Sequence, residues 1–111
     1  MHELGLCSSI VDAVERRAGE RPVAHIRVRV GRLHHVHEDA FEFSFAVAAQ
    51  GTVAEGAAAE LVLLPVVARC GSCHANWEGD EMPLACPLCG AVDIALLGGD
   101  ELVLESIEYR G

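Results

Sequence analysis

Cys70-Gly71-Ser72-Cys73, twelve further residues, then Cys86-Pro87-Leu88-Cys89-Gly90: this stretch decides how the rest of the chain is to be read. Each Cys-x-x-Cys knuckle aims two sulfurs at one point, and two knuckles at this separation supply the tetrahedral sulfur set that structural Zn(II) prefers. Disulfides are the competing reading. Cys-x-x-Cys pairs bridge poorly as static staples, and nothing in the chain points to an oxidising compartment. Residues 69–96 are therefore expected to form a small zinc ribbon on Cys70, Cys73, Cys86 and Cys89.

The sequence on either side alternates helix and strand patterns. Leu4, Cys7, Ile10, Val11 and Val14 make one apolar stripe of a helix, with Arg16 and Arg17 in its last turn and Gly19 and Pro22 ending it. Cys7 falls on that stripe and reads as core. From Val23 the pattern alternates strictly: Ile26, Val28 and Val30 face one way, His25, Arg27 and Arg29 the other, to Gly31. A second helix follows, read as capped by Asp39, with Phe41, Phe45 and Ala48 or Ala49 on its buried side. Leu61 to Val67 reads as one strand leading directly into Cys70, and the chain returns through Gly98-Gly99-Asp100 to a strand over Leu102 to Tyr109. The fold expected is α+β, two helices on a small three-stranded mixed sheet, with the four-cysteine ribbon inserted between two neighbouring strands. Residues 1–68 and 97–111 would make the first domain and 69–96 the second.

Composition narrows the function. The chain has 111 residues and a net charge of -9, from 17 acidic against 8 basic side chains, so a basic nucleic-acid-binding face is not expected of its ribbon. Basic protein partners and cations suit such a surface better. No apolar run approaches the ~18 residues of a membrane span, and Glu3 stands where a signal peptide would carry basic residues. A cytoplasmic protein is expected. No nucleophile–base pair, phosphate-binding glycine loop or open three-ligand zinc site stands out, so the chain does not read as an enzyme.

The first residues, Met1-His2-Glu3, carry a second metal signal. A free α-amino group, the deprotonated amide of His2 and its imidazole can close fused chelate rings, and the Glu3 amide can add a fourth nitrogen. Four nitrogens in a plane suit Ni(II) or Cu(II). His2 is too bulky to favour removal of the initiator methionine, so Met1 is expected to keep its amine. Arg32-Leu33-His34-His35-Val36-His37-Glu38-Asp39 places half of the six histidines within four positions. These read either as a solvated loop or as an auxiliary source of donors, with His37 the first candidate. His74, beside Cys73, reads as an exposed ribbon residue or as a ligand that competes for zinc.

With two cysteine knuckles behind a Met-His-Glu start, the chain resembles the HypA/HybF nickel metallochaperones of hydrogenase maturation. The likeness runs through Met1-His2-Glu3-Leu4, Ser8-Ser9-Ile10, Val30-Gly31, Phe41 and Phe45, Val53-Ala54-Glu55-Gly56-Ala57 with Leu61, the knuckles, and Leu102 to Glu108. What the resemblance implies is Ni(II) as transient cargo on Met1, His2 and Glu3, and Zn(II) as a structural ion. It also implies delivery to the large subunit of a nickel-iron hydrogenase together with a partner GTPase, and in some members to urease. In relatives the loop before the second helix can offer an acidic group; the histidines here depart from that. A monomer or weak homodimer is expected. Two rivals stand beside this reading: a rubredoxin-like electron carrier, since Cys86-Pro87-Leu88-Cys89-Gly90 looks like half of an iron site, and a zinc-ribbon adaptor that only binds protein.

Overall fold

The structure, a computed structural model, describes residues 2–111; Met1 and the side chain of His2 lie outside the described residues. The elements run α1 (His2–Ala18), β1 (Val23–Gly31), a 3-10 turn (Arg32–His34), α2 (Glu38–Ala49), β2 (Ala58–Leu64), β3 (Val66–Cys70), β4 (Asn76–Gly79), β5 (Ile94–Gly98) and β6 (Leu102–Tyr109). Two three-stranded sheets result, ordered β2-β1-β6 and β4-β3-β5. The α+β class with its ribbon is as the sequence indicates, but the cysteine segment does not join neighbouring strands. β2 and β6 flank β1 instead. The reason is burial: Val23, Ile26, Val28 and Val30 on β1 are all inaccessible to solvent, so β1 takes the centre, where both of its edges are paired.

The chain divides into two compact units. One comprises the described residues up to Arg29, with Val36–Val62 and Val103–Gly111; the other comprises Val30–His35 and Leu63–Leu102. The single strand expected over Leu61 to Val67 is broken at Pro65, with β2 ending at Leu64 and β3 starting at Val66. Proline lacks the amide a ladder needs, so the chain leaves one sheet there and enters the other.

In the first unit, α1 buries Cys7, Ile10, Val11, Val14 and Ala18, while α2 buries Phe41, Ser44, Phe45 and Ala49. Phe41 and Phe45 stack at 6.3 Å, and the Cys7 thiol donates to the Phe41 carbonyl at 3.6 Å. Burial, and after it the charge of Glu3, pushes that thiol up to about 11, so Cys7 is a packed core residue and a poor nucleophile at neutral pH. Gly19, at φ 62°, ends α1 in the left-handed conformation.

The N-terminus of α2 differs from expectation. The helix begins at Glu38, its N-cap is His37, and no side chain of its own caps it. Asp39 lies in the first turn beside Glu38, where both carboxylates favour the helix dipole. The anion at the cap comes from the other helix: the His37 amide donates to Glu3 Oε2 at 3.3 Å. A capping-box glutamate within a helix does the same for its own N-cap amide; here α1 does it for α2.

The polar face of the first sheet is a cross-strand charge ladder. His25 Nε2 lies 3.6 Å from Glu60 and its Nδ1 3.2 Å from Glu108, while Arg27 Nε lies 3.2 Å from Glu60 and 3.7 Å from Glu105. Opposite charges across neighbouring strands fix register more than they add stability, since these groups are partly exposed. His25 is thus a structural residue.

Candidate metal centre

In the second unit β3 pairs antiparallel with β4 and with β5, and the knuckles are built at its end. Cys70 closes β3, Cys73 stands in the turn toward β4, and Cys86 and Cys89 stand in the segment before β5. The structure brings all four sulfurs within 4.8 Å of one another, with Cys70–Cys89 and Cys73–Cys86 each at 3.6 Å. A tetrahedron with Zn–S of ~2.3 Å has edges of about 3.8 Å. The spacing and the all-sulfur chemistry therefore fit zinc.

Backbone amides donate to the leading sulfur of each knuckle. Ser72 and Cys73 donate to Cys70 Sγ, and Leu88 and Cys89 to Cys86 Sγ, all four at 3.4 Å. The Cys89 amide outweighs the opposing push of partial desolvation and, with the Leu88 amide and neighbouring thiols, holds Cys86 at about 6. At Cys89 the Ala91 amide pulls down, yet desolvation and the Cys70, Cys73 and Cys86 sulfurs together lift the thiol to about 12. Cys73 is raised as well; the Ala75 amide lowers it, but desolvation and the Cys86 and Cys70 sulfurs prevail. One thiolate forms readily and each further one is resisted by the negative charge already present. A divalent cation bound among these sulfurs would supply the countercharge that thiolates at this spacing require.

Asp93, which sequence reasoning did not single out, braces the first knuckle. Its carbonyl accepts from the Gly71 amide at 2.8 Å, and its carboxylate accepts from Ser72 Oγ at 2.8 and 3.1 Å. A Cβ on Gly71 would lie 2.5 Å from Asp93 Oδ2, which is why glycine follows Cys70. No local signal marks Asp93; its role comes from the pairing of β5 with β3. His74 is exposed and does not belong to the group of four sulfurs.

Of the residues expected to bind nickel, Met1 and the His2 imidazole lie outside the described residues, while Glu3 occupies the first turn of α1 and holds the His37 amide. The loop histidines divide between the units. His37 belongs to the first, and His34 and His35 to the second, where His34 Nε2 hydrogen-bonds the Asp100 carbonyl at 2.9 Å. That bond gives His34 a structural task in the turn.

Comparison with known proteins agrees with this geometry. Residues 1–109 match the family described as "Hydrogenase/urease nickel incorporation, metallochaperone, hypA". The hydrogenase maturation factor HypA of Desulfitobacterium hafniense (strain DSM 10664 / DCB-2) is 36% identical over 113 residues, covering 99% of each chain. HypA 1 of Bradyrhizobium diazoefficiens is 38% identical over 97% of this chain and 98% of its own. HybF of Escherichia coli O157:H7 is 36% identical over 99% of this chain and 100% of its own. In fold, the chain superposes on the solution structure of the Ni metallochaperone HypA from Helicobacter pylori with a TM-score of 0.67, at 20% identity over 98% of this chain and 97% of that one. A match of this length and identity, over a chain with the same fold and four converging thiols, places the protein in the HypA family, the nickel metallochaperones of hydrogenase maturation, and not among enzymes.

Proposed function

We propose that the chain carries Ni(II) on its N-terminal residues, with the Met1 amine, the amide and imidazole of His2 and the Glu3 amide as donors, and holds Zn(II) as a resident structural ion on Cys70, Cys73, Cys86 and Cys89. Four nitrogens in a plane suit nickel, and a chelate at the end of a chain is open on its outer side, which a carrier that must release its cargo requires. The observation that carries this reading is the bond from the His37 amide to Glu3 at 3.3 Å, which ties the histidine-bearing entry of α2 to the residue after His2. It supports His37 as an auxiliary donor.

The client in this proposal is the hydrogenase large subunit, reached in the cytoplasm together with a nickel-delivering GTPase. The wording of the family description extends the proposal to urease. Among the described residues no helix is long and apolar enough to cross a membrane. Nickel titration of untagged protein with a free N-terminus is the test, set beside N-terminally acetylated protein and the His2→Ala variant. Both changes are expected to abolish tight binding while zinc and fold persist. Nickel bound equally well by acetylated protein would move the site elsewhere.

A further inference from the structure

The two knuckles share one backbone plan. The Cys70 amide donates to Ala75 O at 2.9 Å and the Cys86 amide to Ala91 O at 2.7 Å, while His74 returns to Cys70 O at 3.0 Å and Gly90 to Cys86 O at 2.9 Å. Residues 70–75 and 86–91 therefore correspond one for one, and their side chains can be compared on equal geometry. Where the first knuckle has Ser72, the second has Leu88. Leu88 is 78% exposed, and on either side of the second knuckle Leu84 is 94% and Val92 78% exposed. The same turn is built once with a polar residue at this position, so folding does not require the aliphatic Leu88. Burying a Leu or Val side chain is favourable, and the chain on its own realises little of that gain here.

The surroundings are acidic. Glu78, Asp80, Glu81 and Asp93 are exposed, and no lysine or arginine occurs between Arg69 and Arg110. Arg32 reaches Asp80 at 3.6 Å and Ser72 takes Asp93, leaving Glu78 and Glu81 as the outward charges. We propose that the second knuckle is a docking face for a protein segment that offers an apolar anchor flanked by lysine or arginine, recognised by the exposed Leu84, Leu88 and Val92 in a stretch of chain that carries acidic side chains and no lysine or arginine. Exposed aliphatic side chains in a charged border are the arrangement of an interface centre and its rim. A second copy is disfavoured because each chain carries -9 and offers no cation in this segment. An anionic lipid surface is disfavoured for the same reason. The inference is independent of where nickel binds.

The test uses full-length, zinc-loaded protein and, as probe, a synthetic amphipathic peptide with leucines on one face and lysines on the other. Amide chemical shifts are expected to move over residues 84–92 and not over residues 72–76. The Leu88→Ser/Val92→Ser double variant should weaken binding by about tenfold or more, with zinc stoichiometry and thermal midpoint retained because both side chains face solvent. A peptide with serine for leucine, or glutamate for lysine, should fail to bind. Equal binding by the double variant or by the serine peptide would show charge attraction alone and overturn the proposal. So would concentration-dependent self-association lost in the double variant, or equal partitioning onto anionic vesicles.

Discussion

The thiol cluster and the proposed nickel residues are two opposite ways of offering donors to a metal. Cys70, Cys73, Cys86 and Cys89 come from two turns braced by β3, β4 and β5, and the lead sulfurs each accept two backbone amides. Of the N-terminal residues, Glu3 lies in the first turn of α1, and its carboxylate accepts the His37 amide. A site built from all sides retains its ion; a site at a chain end exchanges it. The contrast teaches that retention and delivery are separated by how much backbone stands behind the donors, more than by their number.

The largest effect should come from the closed site. Changing any one of Cys70, Cys73, Cys86 or Cys89 to Ser should cost zinc and unfold the ribbon, since structural zinc contributes on the order of 10 kcal/mol to small modules. Zinc stoichiometry and hydrogen exchange of β3 and β5 report it; a variant with full zinc and unchanged protection would refute the four-sulfur assignment. Next in size, acetylating the N-terminus should weaken nickel by at least about 100-fold, more than loss of an outer partner does, with zinc unaffected. Calorimetry showing parallel loss of both metals would erase the distinction between the sites.

Smaller effects separate bracing from ligation. Glu3→Ala should weaken nickel by about tenfold and destabilise α2 by about 1 kcal/mol, whereas Glu3→Gln, whose amide oxygen still accepts the His37 amide, should recover most of both. If Gln behaves like Ala, the carboxylate acts on the metal directly. His74 at φ 64° stands where the second knuckle has Gly90 at φ 78°; His74→Gly should stabilise the ribbon by about 1 kcal/mol, read from thermal denaturation. Smallest of all, Cys7→Ser should leave zinc stoichiometry unchanged. It should also remove an alkaline loss of stability: the folded thiol titrates near 11 and the unfolded one near 9, so wild-type protein weakens as pH rises from about 9 to 11. A variant with the same alkaline profile would sink that assignment.

The sequence was most legible where chemistry is local. The knuckles declare themselves by spacing, and β1 and β6 show at their observed bounds, Val23–Gly31 and Leu102–Tyr109, because one is marked by alternation and glycine, the other by the turn before it. Non-local causes were hidden. The break at Pro65 was masked by an aliphatic run that satisfies two different sheets. The α2 cap could not be read because its anion comes from Glu3, 34 residues away. β4 and β5 are short and carry no periodicity of their own; β3 and the knuckles impose them.

The strand order has a consequence for synthesis. Central β1 waits for β6, and all four cysteines are made between those two strands. At about 5–20 residues per second on the ribosome, the thiol tetrad is complete a second or more before Leu102–Tyr109 can close the first sheet. The four thiols are therefore available to a metal ion while the unit that bears the proposed nickel residues is still open along one edge of β1. On the proposed metal roles, sorting begins as a matter of timing, with the sulfur site complete before the rest of the chain has folded.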